Sequence, residues 1–517
     1  MNLTEEQQKI IDAVLDDSNH IIKISARAGS GKTAILAEIS RQLGTSGIYL
    51  AYNKSIATEA QAKFSNKIQC STIHSLAYRY TVKQRNLKLG YFGYRDIKEY
   101  IPFVMKVIVL DIIKLYLSSK YIKFDDFVKD RYYEERRHIK SNFSKEHKNL
   151  FTIANKYVSR MFSGLIPITH DGYLKMFHVL LASDDFSIEY PLIMIDEAGD
   201  LVPVTYEIFK LIKADKKIIA GDEYQTIYTF NNTINAFAED NDGIMLEMTK
   251  SFRCNENVAK LVQAFMQRYV DPKFRFIGTS TVCDNDIETE AYISRTNSAL
   301  IEKIIASQRN GIPFNMTRDP KQIFDLTLAL IYLSPDKKIT IPDYLYINDE
   351  MDNYWNDDFL QDQYSPLEYI YEKFGEEDPA IKIAITNIGK LGPKNITDAF
   401  NYAKDLYSQK IHNQLTITTA HACKGLEFDT VYIDNDMNTT IEKVLKDIEE
   451  SGEMTESHRA ELLLYYVACS RAKKILVNAV YAERAYEELL ATRLHQVADS
   501  KRYVKDVGLD CLDSNII

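Results

Sequence analysis

Two short segments of the chain carry side chains that suit chemistry on a phosphate group. In the first, an apolar run leads into a loop with Gly29 and Gly31, followed by Lys32 and Thr33. Glycines allow backbone N–H groups to turn toward phosphate oxygens at a helix N-terminus. Lys32 would reach the β- and γ-phosphates of a nucleotide, and the Thr33 hydroxyl would ligate Mg²⁺. The loop residues expected to contact the nucleotide are Ala26, Arg27, Ala28, Gly29, Ser30, Gly31, Lys32 and Thr33.

The second segment is the apolar run Leu192–Ile195, which ends in Asp196 and Glu197. Such a run places both acids at the carboxyl end of a buried strand, where α/β sheets bind ligands. Asp196 would hold the magnesium shell, and Glu197 would orient and deprotonate an attacking water. Alone, the pattern equally fits a strand that leaves the core. Together with a phosphate loop, it indicates a site for nucleotide hydrolysis.

Short apolar runs separated by helical stretches predict the elements that position these residues. The runs predict the strands of an α/β fold with two sheets. Each sheet is interrupted by a long insertion, because the connections in compact α/β folds are normally far shorter. The expected strands are Ile21–Ile24, Ile48–Ala51, Leu192–Ile195, Lys217–Ala220, Ala291–Ser294, Leu415–Thr419, Thr430–Ile433 and Ile475–Val480. The expected domains are 1–85 with 166–270, a helical insertion at 86–165, 271–335 with 412–517, and an acidic insertion at 336–411.

Composition excludes several classes of protein. Apolar residues make up 45% and charged residues 26% of the 517, as in ordinary globular proteins. The six cysteines form no C-x-x-C pair, which argues against a disulfide framework and a zinc site and fits a reducing cytosol. The first residues lack a basic start and an apolar run, so we expect no signal peptide. The most apolar long stretch, Ile101–Leu117, contains three charges and predicts an amphipathic helix rather than a membrane span.

The net charge of −10 is concentrated in one segment. Pro342–Asp378 contains twelve acids and one base, Lys373, and therefore carries −11. Because the whole chain carries −10, the other residues sum to +1. The overall acidity therefore does not exclude binding to nucleic acid.

Further segments fall in a fixed order around the two phosphate-chemistry segments. They are Leu3–Gln7, Ala51–Lys54, Ser71–Ser75, Gly221–Phe230, Lys250–Arg253, Ser294–Asn297, Thr418–Phe428 and Tyr465–Ala472. In this order the segments resemble the motifs of superfamily 1 DNA helicases of the UvrD-like branch. The residues of Ala51–Lys54 more specifically resemble those of the F-box DNA helicases and of small phage or bacterial relatives.

The resemblance implies two RecA-like domains around one ATP site, and it assigns roles to individual residues. Three of them would hold the nucleoside, with Gln7 reading adenine, Phe252 stacking on it and Glu427 binding the ribose. Three more would act on the γ-phosphate, whose charge in the transition state needs donors of this kind. These are Gln225, Arg253 and Arg471. The family's ATP residues further include Lys32, Asp196 and Glu197.

For DNA, the resemblance points to Phe230, where the family has an aromatic that stacks on a base. Stacking suits a motor that ignores sequence, because every base has a π-face. A phenylalanine is more often a core residue, and a histidine is usually structural, so these assignments rest on the resemblance. The other residues expected to contact the strand are Tyr52, Asn53, Lys54, Thr72, His74, Arg295 and His421.

The chain departs from the family pattern at several positions. Ala26 stands where the strict phosphate motif has its first glycine, and Arg27 where the family prefers a small residue. Ala51 replaces a base-stacking aromatic, for which Tyr52 would substitute. Gly199 removes a side-chain amide that follows the acids in most relatives.

From this pattern we expect an ATP-dependent 3′–5′ translocase or helicase that uses ATP and Mg²⁺ and acts on single-stranded DNA and duplex junctions. Two alternatives remain: a translocase that strips proteins with little unwinding, and a nucleotide-gated DNA-sensing subunit of a repair or phage-defence complex. The acidic insertion either is a folded subdomain whose acids only face solvent, or it restrains DNA engagement or docks a basic protein partner. The expected setting is the cytoplasm of a bacterial or phage-infected cell, without a membrane.

Overall fold

The computed structural model describes residues 3–130, 145–227, 236–239, 242–279, 288–376, 378–409 and 411–492. The chain forms two compact units. Unit 1 contains Met1–Met248 and Thr340–Glu350, and unit 2 contains Thr249–Ile339 and Met351–Ile517. Within the described ranges, every helix is too short or too polar to cross a bilayer.

Unit 1 alternates strands and helices before and after a helical region. Its elements are α1 (Glu5–Leu15), β1 (Ile21–Ala26), α2 (Lys32–Leu43), β2 (Gly47–Ala51), α3 (Lys54–Lys63), β3 (Ile68–Thr72), α4 (Ile73–Tyr78), α5 (Phe103–Ser118), α6 (Lys145–Phe162), α7 (His170–Leu181), β4 (Glu189–Ile195), α8 (Pro203–Leu211), β5 (Lys213–Gly221), α9 (Ala236–Glu239) and β6 (Ile244–Met248). Residues 124–130 are also helical.

The six strands of unit 1 form one parallel sheet in the order β3-β2-β4-β5-β1-β6. Their apolar runs are buried, as expected for a sheet that is covered on both faces. Because all the strands are parallel, their carboxyl ends lie at the same edge. β5 lies between β4 and β1, so the two predicted phosphate-chemistry segments follow strands that have one strand between them.

The helical region agrees with the sequence in part. The amphipathic helix expected at 101–117 is α5, with buried Ile112, Ile113 and Leu117. Residues 86–102, the first part of the expected helical insertion, contain a 3₁₀ turn at Tyr94–Asp96 as their only helical structure. Gly90 explains part of the difference, because a Cβ atom there would lie 2.5 Å from Cβ of Pro167. The chain stays irregular here and pairs by a single bridge with the segment before α7.

Unit 2 contains a second parallel sheet and a helical insertion. In chain order the elements are β7 (Lys250–Ser251), α10 (Glu256–Tyr269), β8 (Ile277–Gly278), β9 (Glu290–Ser294), α11 (Asn297–Arg309), β10 (Asn315–Met316), α12 (Pro320–Ile331), α13 (Tyr346–Trp355), α14 (Asp358–Gln363), α15 (Pro366–Phe374), α16 (Pro379–Leu391), α17 (Pro393–Gln409), β11 (Leu415–Thr419), β12 (Phe428–Ile433), α18 (Asn435–Ser451), α19 (Glu456–Cys469) and β13 (Ala472–Val477). α13 begins in unit 1 and ends in unit 2.

The main sheet of unit 2 has the strand order β10-β11-β9-β12-β13 and is parallel throughout. The α/β fold with two parallel sheets, predicted from the sequence, is confirmed. The last strand, Ala472–Val477, lies three residues earlier than the predicted strand at 475–480. Asn478 has a φ of 59°, and its side-chain amide donates to the Ile433 carbonyl at 2.7 Å. This left-handed residue stops the strand, and residues 480–492 are helical.

The acidic segment is folded. Tyr354 is buried against Tyr369, and its hydroxyl donates to the Tyr364 carbonyl at 2.7 Å. Asp357 caps the N-terminus of α14. Of the acids that the structure describes in this segment, nine are exposed to solvent, and Phe359 is an exposed aromatic among them. The exposed acids are Asp343, Asp349, Asp352, Asp357, Asp358, Asp362, Glu368, Glu372 and Glu376.

Candidate functional site

The loop between β1 and α2 has the backbone geometry of an anion cradle. Gly29 has a φ of 72° and Gly31 a φ of 86°, both in the left-handed region where a side chain would be strained. Gly31 is the N-cap residue of α2, and no side chain caps this helix. The N-terminal end of α2 therefore keeps backbone N–H groups and a positive dipole for an anion.

Lys32, the first residue of α2, lies against both acids that follow β4. Its Nζ donates to Oε1 of Glu197 at 2.9 Å and lies 3.8 Å from Oδ1 of Asp196. Burial lowers the pKa of Lys32, but Glu197 and Asp196 outweigh it and hold the pKa above its ordinary value. Burial raises the pKa of Asp196, and Lys32 opposes that rise. The predicted phosphate ligand, metal ligand and general base thus converge in unit 1.

The acids are held by local backbone geometry and by a tyrosine. Glu197 has a φ of 55°, a left-handed conformation that is uncommon for a residue with a side chain and concentrates at functional sites. Its N–H donates to Oδ1 of Asp196 at 2.8 Å. Oδ2 of Asp196 accepts from the Tyr49 hydroxyl at 2.9 Å. Both carboxylate oxygens of Asp196 therefore have fixed donors.

A third segment, which follows β5, packs tightly against these acids. A Cβ atom on Gly221 would lie 2.6 Å from the backbone nitrogen of Ala198, and one on Gly199 would lie 2.9 Å from the Asp222 carbonyl. Nε2 of Gln225 donates to Oδ2 of Asp222 at 2.8 Å. The small residues thus permit the close approach that places Gln225 in the segment beside the acids.

The buried polar atoms that have no hydrogen-bond partner among the described residues include Nε2 of Gln7 and Oγ of Ser30. Gln7 is 1% exposed, and its Oε1 accepts from the Thr4 backbone N–H at 3.0 Å. This bond fixes the amide with its N–H₂ group available to a base. Buried polar groups are normally satisfied, so both atoms fit a site that takes a nucleotide.

Arg27 belongs to the phosphate loop through its backbone only. Its carbonyl accepts from the Ser30 N–H at 3.1 Å, whereas its side chain is 2% exposed and contacts Ser25, Glu223 and Glu247. A direct contact between this guanidinium and a phosphate, as the sequence suggested, would require it to leave these partners.

Unit 2 brings together four of its predicted ATP residues. Nε of Arg253 donates to Oε2 of Glu427 at 2.9 Å. Arg471 is 1% exposed and donates to the carbonyls of Val467 and Leu426. Burial, together with the charge of Arg253, lowers the pKa of Arg471 to about 10, so it remains charged at neutral pH.

Phe252, the remaining predicted ATP residue of unit 2, directly precedes Arg253. Its ring is 49% exposed, as expected for a ring that stacks on a ligand.

The predicted DNA residues of unit 1 lie at the ends of two paired strands. Ala51 of β2 pairs with Thr72 of β3, so the residues that follow them are neighbours. Asn53 caps α3 and Thr72 caps α4 with their side chains, so both already have structural tasks. Tyr52 is 51% exposed, and Lys54 is exposed.

Two of these residues also contact the rest of unit 1. Burial and the charges of Asp200 and Glu197 raise the pKa of Tyr52, which places this ring near the hydrolysis residues. His74 packs edge-on against Tyr173, with ring centroids 5.9 Å apart, and burial lowers its pKa. Burial therefore favours the neutral form of the His74 imidazole.

In unit 2, Arg295 and His421 follow the paired strands β9 and β11. The guanidinium of Arg295 donates to both carboxylate oxygens of Glu461, at 2.8 and 2.6 Å, so a DNA contact would compete with a bidentate ion pair. His421 is partly buried. Phe230 lies outside the described residues.

Comparison with known proteins identifies the family. Residues 119–483 match the model of the UvrD-like helicase C-terminal domain, and residues 2–106 match that of an AAA domain. The chain belongs to the UvrD-like helicase family. It is similar to F-box DNA helicase protein 1 of Schizosaccharomyces pombe, with 25% identity over 92% of this chain and 57% of that protein. It is also similar to F-box DNA helicase 1 of Gallus gallus, with 24% identity over 95% of this chain and 50% of that one. The chain spans about half the length of these curated relatives.

Some residues of this UvrD-like helicase site were not found from the sequence. Tyr49 lies in an apolar run and was assigned only to a strand, although a buried polar tip needs a partner and could have signalled a contact. Glu223 lies inside a recognised motif, but its partners Ser25 and Arg27 lie on β1 and just after it. The strand order is needed to find these contacts.

The close packing at Gly221 predicts an effect of added volume. Gly221→Ala should destabilise the protein by about 1–3 kcal/mol and lower ATP turnover, because the new methyl group pushes the segment of Gln225 away from Glu197. The matched control is Gly389→Ala in α16, an exposed helical position where a Cβ atom meets nothing within 4 Å. That variant should gain up to about 1 kcal/mol. Urea unfolding and steady-state ATPase assays of both variants check this, and wild-type behaviour of Gly221→Ala would contradict the packing argument.

Proposed function

We propose that this chain hydrolyses ATP to move along single-stranded DNA in the 3′–5′ direction, and that it opens duplex junctions as it moves. The observation that best supports this proposal is the arrangement of Lys32 against Asp196 and Glu197 at the end of a parallel sheet. Membership in a helicase family and similarity to two DNA helicases support DNA as the second substrate.

The contacts of Lys32 suggest how its residues act on ATP. A γ-phosphate would draw the ammonium away from Glu197, because a phosphate group carries more negative charge than one carboxylate. Glu197 would then be free to accept a proton from the attacking water. When bound, Mg²⁺ would neutralise phosphate charge, and Thr33 and Asp196 are the residues that would hold it.

The remaining ATP residues would bind the nucleoside or offset developing charge. Gln7 would donate its buried N–H₂ group to adenine, while Phe252 and Glu427 would hold the base and ribose. Gln225, Arg253 and Arg471 would stabilise the γ-phosphoryl group during transfer, which depends mostly on positioning and electrostatics. For Arg253, the ion pair with Glu427 would have to open or reorient.

The DNA strand would run past the carboxyl ends of β2 and β3 in unit 1 and of β9 and β11 in unit 2. Lys54 would contact a phosphate, and exposed Tyr52 would stack on a base. Asn53, Thr72, His74, Arg295 and His421 would complete the contacts, and Phe230 would stack on a base during stepping. We further propose the domain organisation predicted from the sequence, with residues 86–165 and 336–411 as insertions; the compact units divide between residues 248 and 249 rather than at 270.

A translocase that strips proteins but separates duplexes poorly is the nearest alternative, since the insertion at 336–411 is small. Comparing duplex unwinding with displacement of streptavidin from a biotinylated strand separates the two. The third candidate, a DNA-sensing switch in a larger complex, would hydrolyse ATP at the same rate with and without DNA. The curated relatives are eukaryotic, so a bacterial or phage setting remains a prediction.

ATP turnover should rise strongly with single-stranded DNA and should depend on Lys32, Glu197 and Arg471. Lys32→Ala, Glu197→Gln and Arg471→Ala should each lower kcat by roughly 10²-fold or more, as loss of a charge-stabilising group does. Glu197→Gln should still bind ATP. The matched controls are Lys390→Ala and Arg268→Ala, two exposed ion-pair residues that should not change turnover.

Steady-state ATPase kinetics at saturating ATP, measured with and without DNA, test both the stimulation by DNA and the loss of kcat in the three variants. Equal turnover in the two conditions would contradict a translocase and favour the switch. Near-normal hydrolysis by Arg471→Ala would remove that residue from the mechanism.

We also propose that the acidic segment Pro342–Asp378 restrains DNA binding or docks a basic protein partner. Exposed acids repel phosphates, and the repulsion weakens as salt screens it. Neutralising Asp358, Asp362, Glu372 and Glu376 to Asn or Gln keeps the helix caps and the buried tyrosines. These substitutions should tighten single-strand binding at low salt, with a gain that shrinks as salt rises.

The matched control neutralises four exposed acids of α18, which changes the net charge equally. They are Glu442, Asp447, Glu449 and Glu450. Fluorescence anisotropy with a labelled oligonucleotide at several salt concentrations measures the effect. If both sets change binding equally, or neither does, the restraint is excluded and only partner docking remains.

A further inference from the structure

We infer that Arg27 is a positioning residue that couples the phosphate loop to the segment carrying Gln225, and thereby ties ATP turnover to DNA binding. This inference rests on the proposed function, in which Gln225 acts on the γ-phosphate. It assigns a purpose to a large charged side chain at a loop position where the family prefers a small residue.

The side chain of Arg27 is enclosed by groups from the segment after β5. Its NH1 donates to Oγ of Ser25 at 2.7 Å, and that hydroxyl donates to Oε1 of Glu223 at 2.7 Å. NH1 also lies 3.5 Å from the same carboxylate oxygen. The guanidinium lies 4.6 Å from the ring centroid of Tyr224, within the range of a cation–π contact. Two consecutive residues before Gln225 therefore contact Arg27.

The other arm of the guanidinium points to β6. NH2 donates to Oε1 of Glu247 at 3.0 Å, and this glutamate side chain is 52% exposed. Glu223 is 23% exposed, so the inner arm is the better shielded of the two. Solvent weakens the outer pair far more than the inner one. The inner contact should therefore dominate the coupling, and the outer pair provides a built-in control.

The backbone of Arg27 is hydrogen-bonded both within the phosphate loop and to β6. Its N–H donates to the Met248 carbonyl at 3.0 Å, and its carbonyl accepts from the Ser30 N–H at 3.1 Å. A change of the loop around a phosphate thus shifts the base of a side chain whose tip is fixed on Glu223 and Tyr224. Buried side chains transmit such shifts because close-packed interiors yield little.

The segment that receives this shift is held from its other side as well. Gly221 and Gly199 bring it against the turn that follows Glu197, and Asp222 holds the Gln225 amide at 2.8 Å. Arg27 and the glycine contact therefore fix the segment between the phosphate loop and the general base. In the sequence, Phe230, the predicted DNA contact, follows five residues after Gln225.

A planar guanidinium makes these contacts in a way that an ammonium cannot, because it donates in two directions and stacks on a ring. Arg27→Lys should therefore behave like Arg27→Met rather than rescue it. Both should lower the kcat measured with saturating single-stranded DNA by roughly tenfold, and by a larger factor than the rate without DNA. The affinity for a fluorescent ADP analogue should change by less than about threefold.

The double variant Arg27→Met with Glu223→Gln tests the contact itself. Residues that act through one contact show non-additive losses, so the double variant should lose no more DNA-stimulated activity than Arg27→Met alone. Glu247→Gln, at the exposed end, should match the wild type. Thermal unfolding of every variant reports the folded fraction, to which each rate is normalised.

The outcomes separate this inference from the proposed function. A wild-type protein that shows no stimulation by DNA would overturn the proposed function, whatever Arg27 does. If the wild type is stimulated and Arg27→Met keeps the same stimulation, the coupling is overturned. It is also overturned if both rates of Arg27→Met fall by the same factor, because that result marks Arg27 as a structural brace only.

Discussion

The ion pair between Lys32 and Glu197, with Asp196 beside it, is the interaction on which the first unit depends. Three charges gathered in a partly buried place are unfavourable unless they compensate one another, because removal of one partner leaves a desolvated charge. Here the ammonium lies 2.9 Å from Glu197 and 3.8 Å from Asp196, while the Tyr49 hydroxyl and the Glu197 N–H satisfy Asp196. The same ammonium can exchange a carboxylate for a phosphate, so the contact that stabilises the unit also prepares it for ATP.

This contact constrains the surrounding elements. β1 and β4 must be parallel and separated by one strand, so that the first residue of α2 meets the residues after β4. The segment after β5 packs against the residues that follow Glu197, and this close approach leaves no room for side chains at Gly221 and Gly199. The guanidinium of Arg27 links this segment to β6, where it donates to Glu247. In unit 2, burial and the charge of nearby Arg253 lower the pKa of Arg471, and the two guanidinium groups concentrate positive charge at the residues expected to meet phosphate.

Local sequence was enough for the parts of the site that lie on one strand and its following loop. Lys32 and Asp196 could be found because each follows an apolar run that predicts a strand, Lys32 after a glycine-containing loop and Asp196 directly. Contacts between elements that are distant in sequence could not be found, because they depend on how the elements are arranged: Tyr49 with Asp196, and the Arg295 guanidinium with Glu461 of α19, 166 residues later. Irregular segments were also missed where close packing decides the backbone, as at Gly90, or where a single asparagine ends a strand, as at Asn478. The domain boundaries and the roles of the site residues stay predictions.

Directional movement on a single strand is the central claim, and a stopped-flow translocation assay tests it most directly. The protein is bound to oligonucleotides of increasing length that carry a fluorophore at the 3′ or the 5′ end, and ATP is then added together with a trap for free protein. Movement in the 3′–5′ direction predicts a signal at the 5′ end whose delay grows in proportion to length, with prompt loss of signal at the 3′ end. A signal that does not depend on length at either end would contradict it.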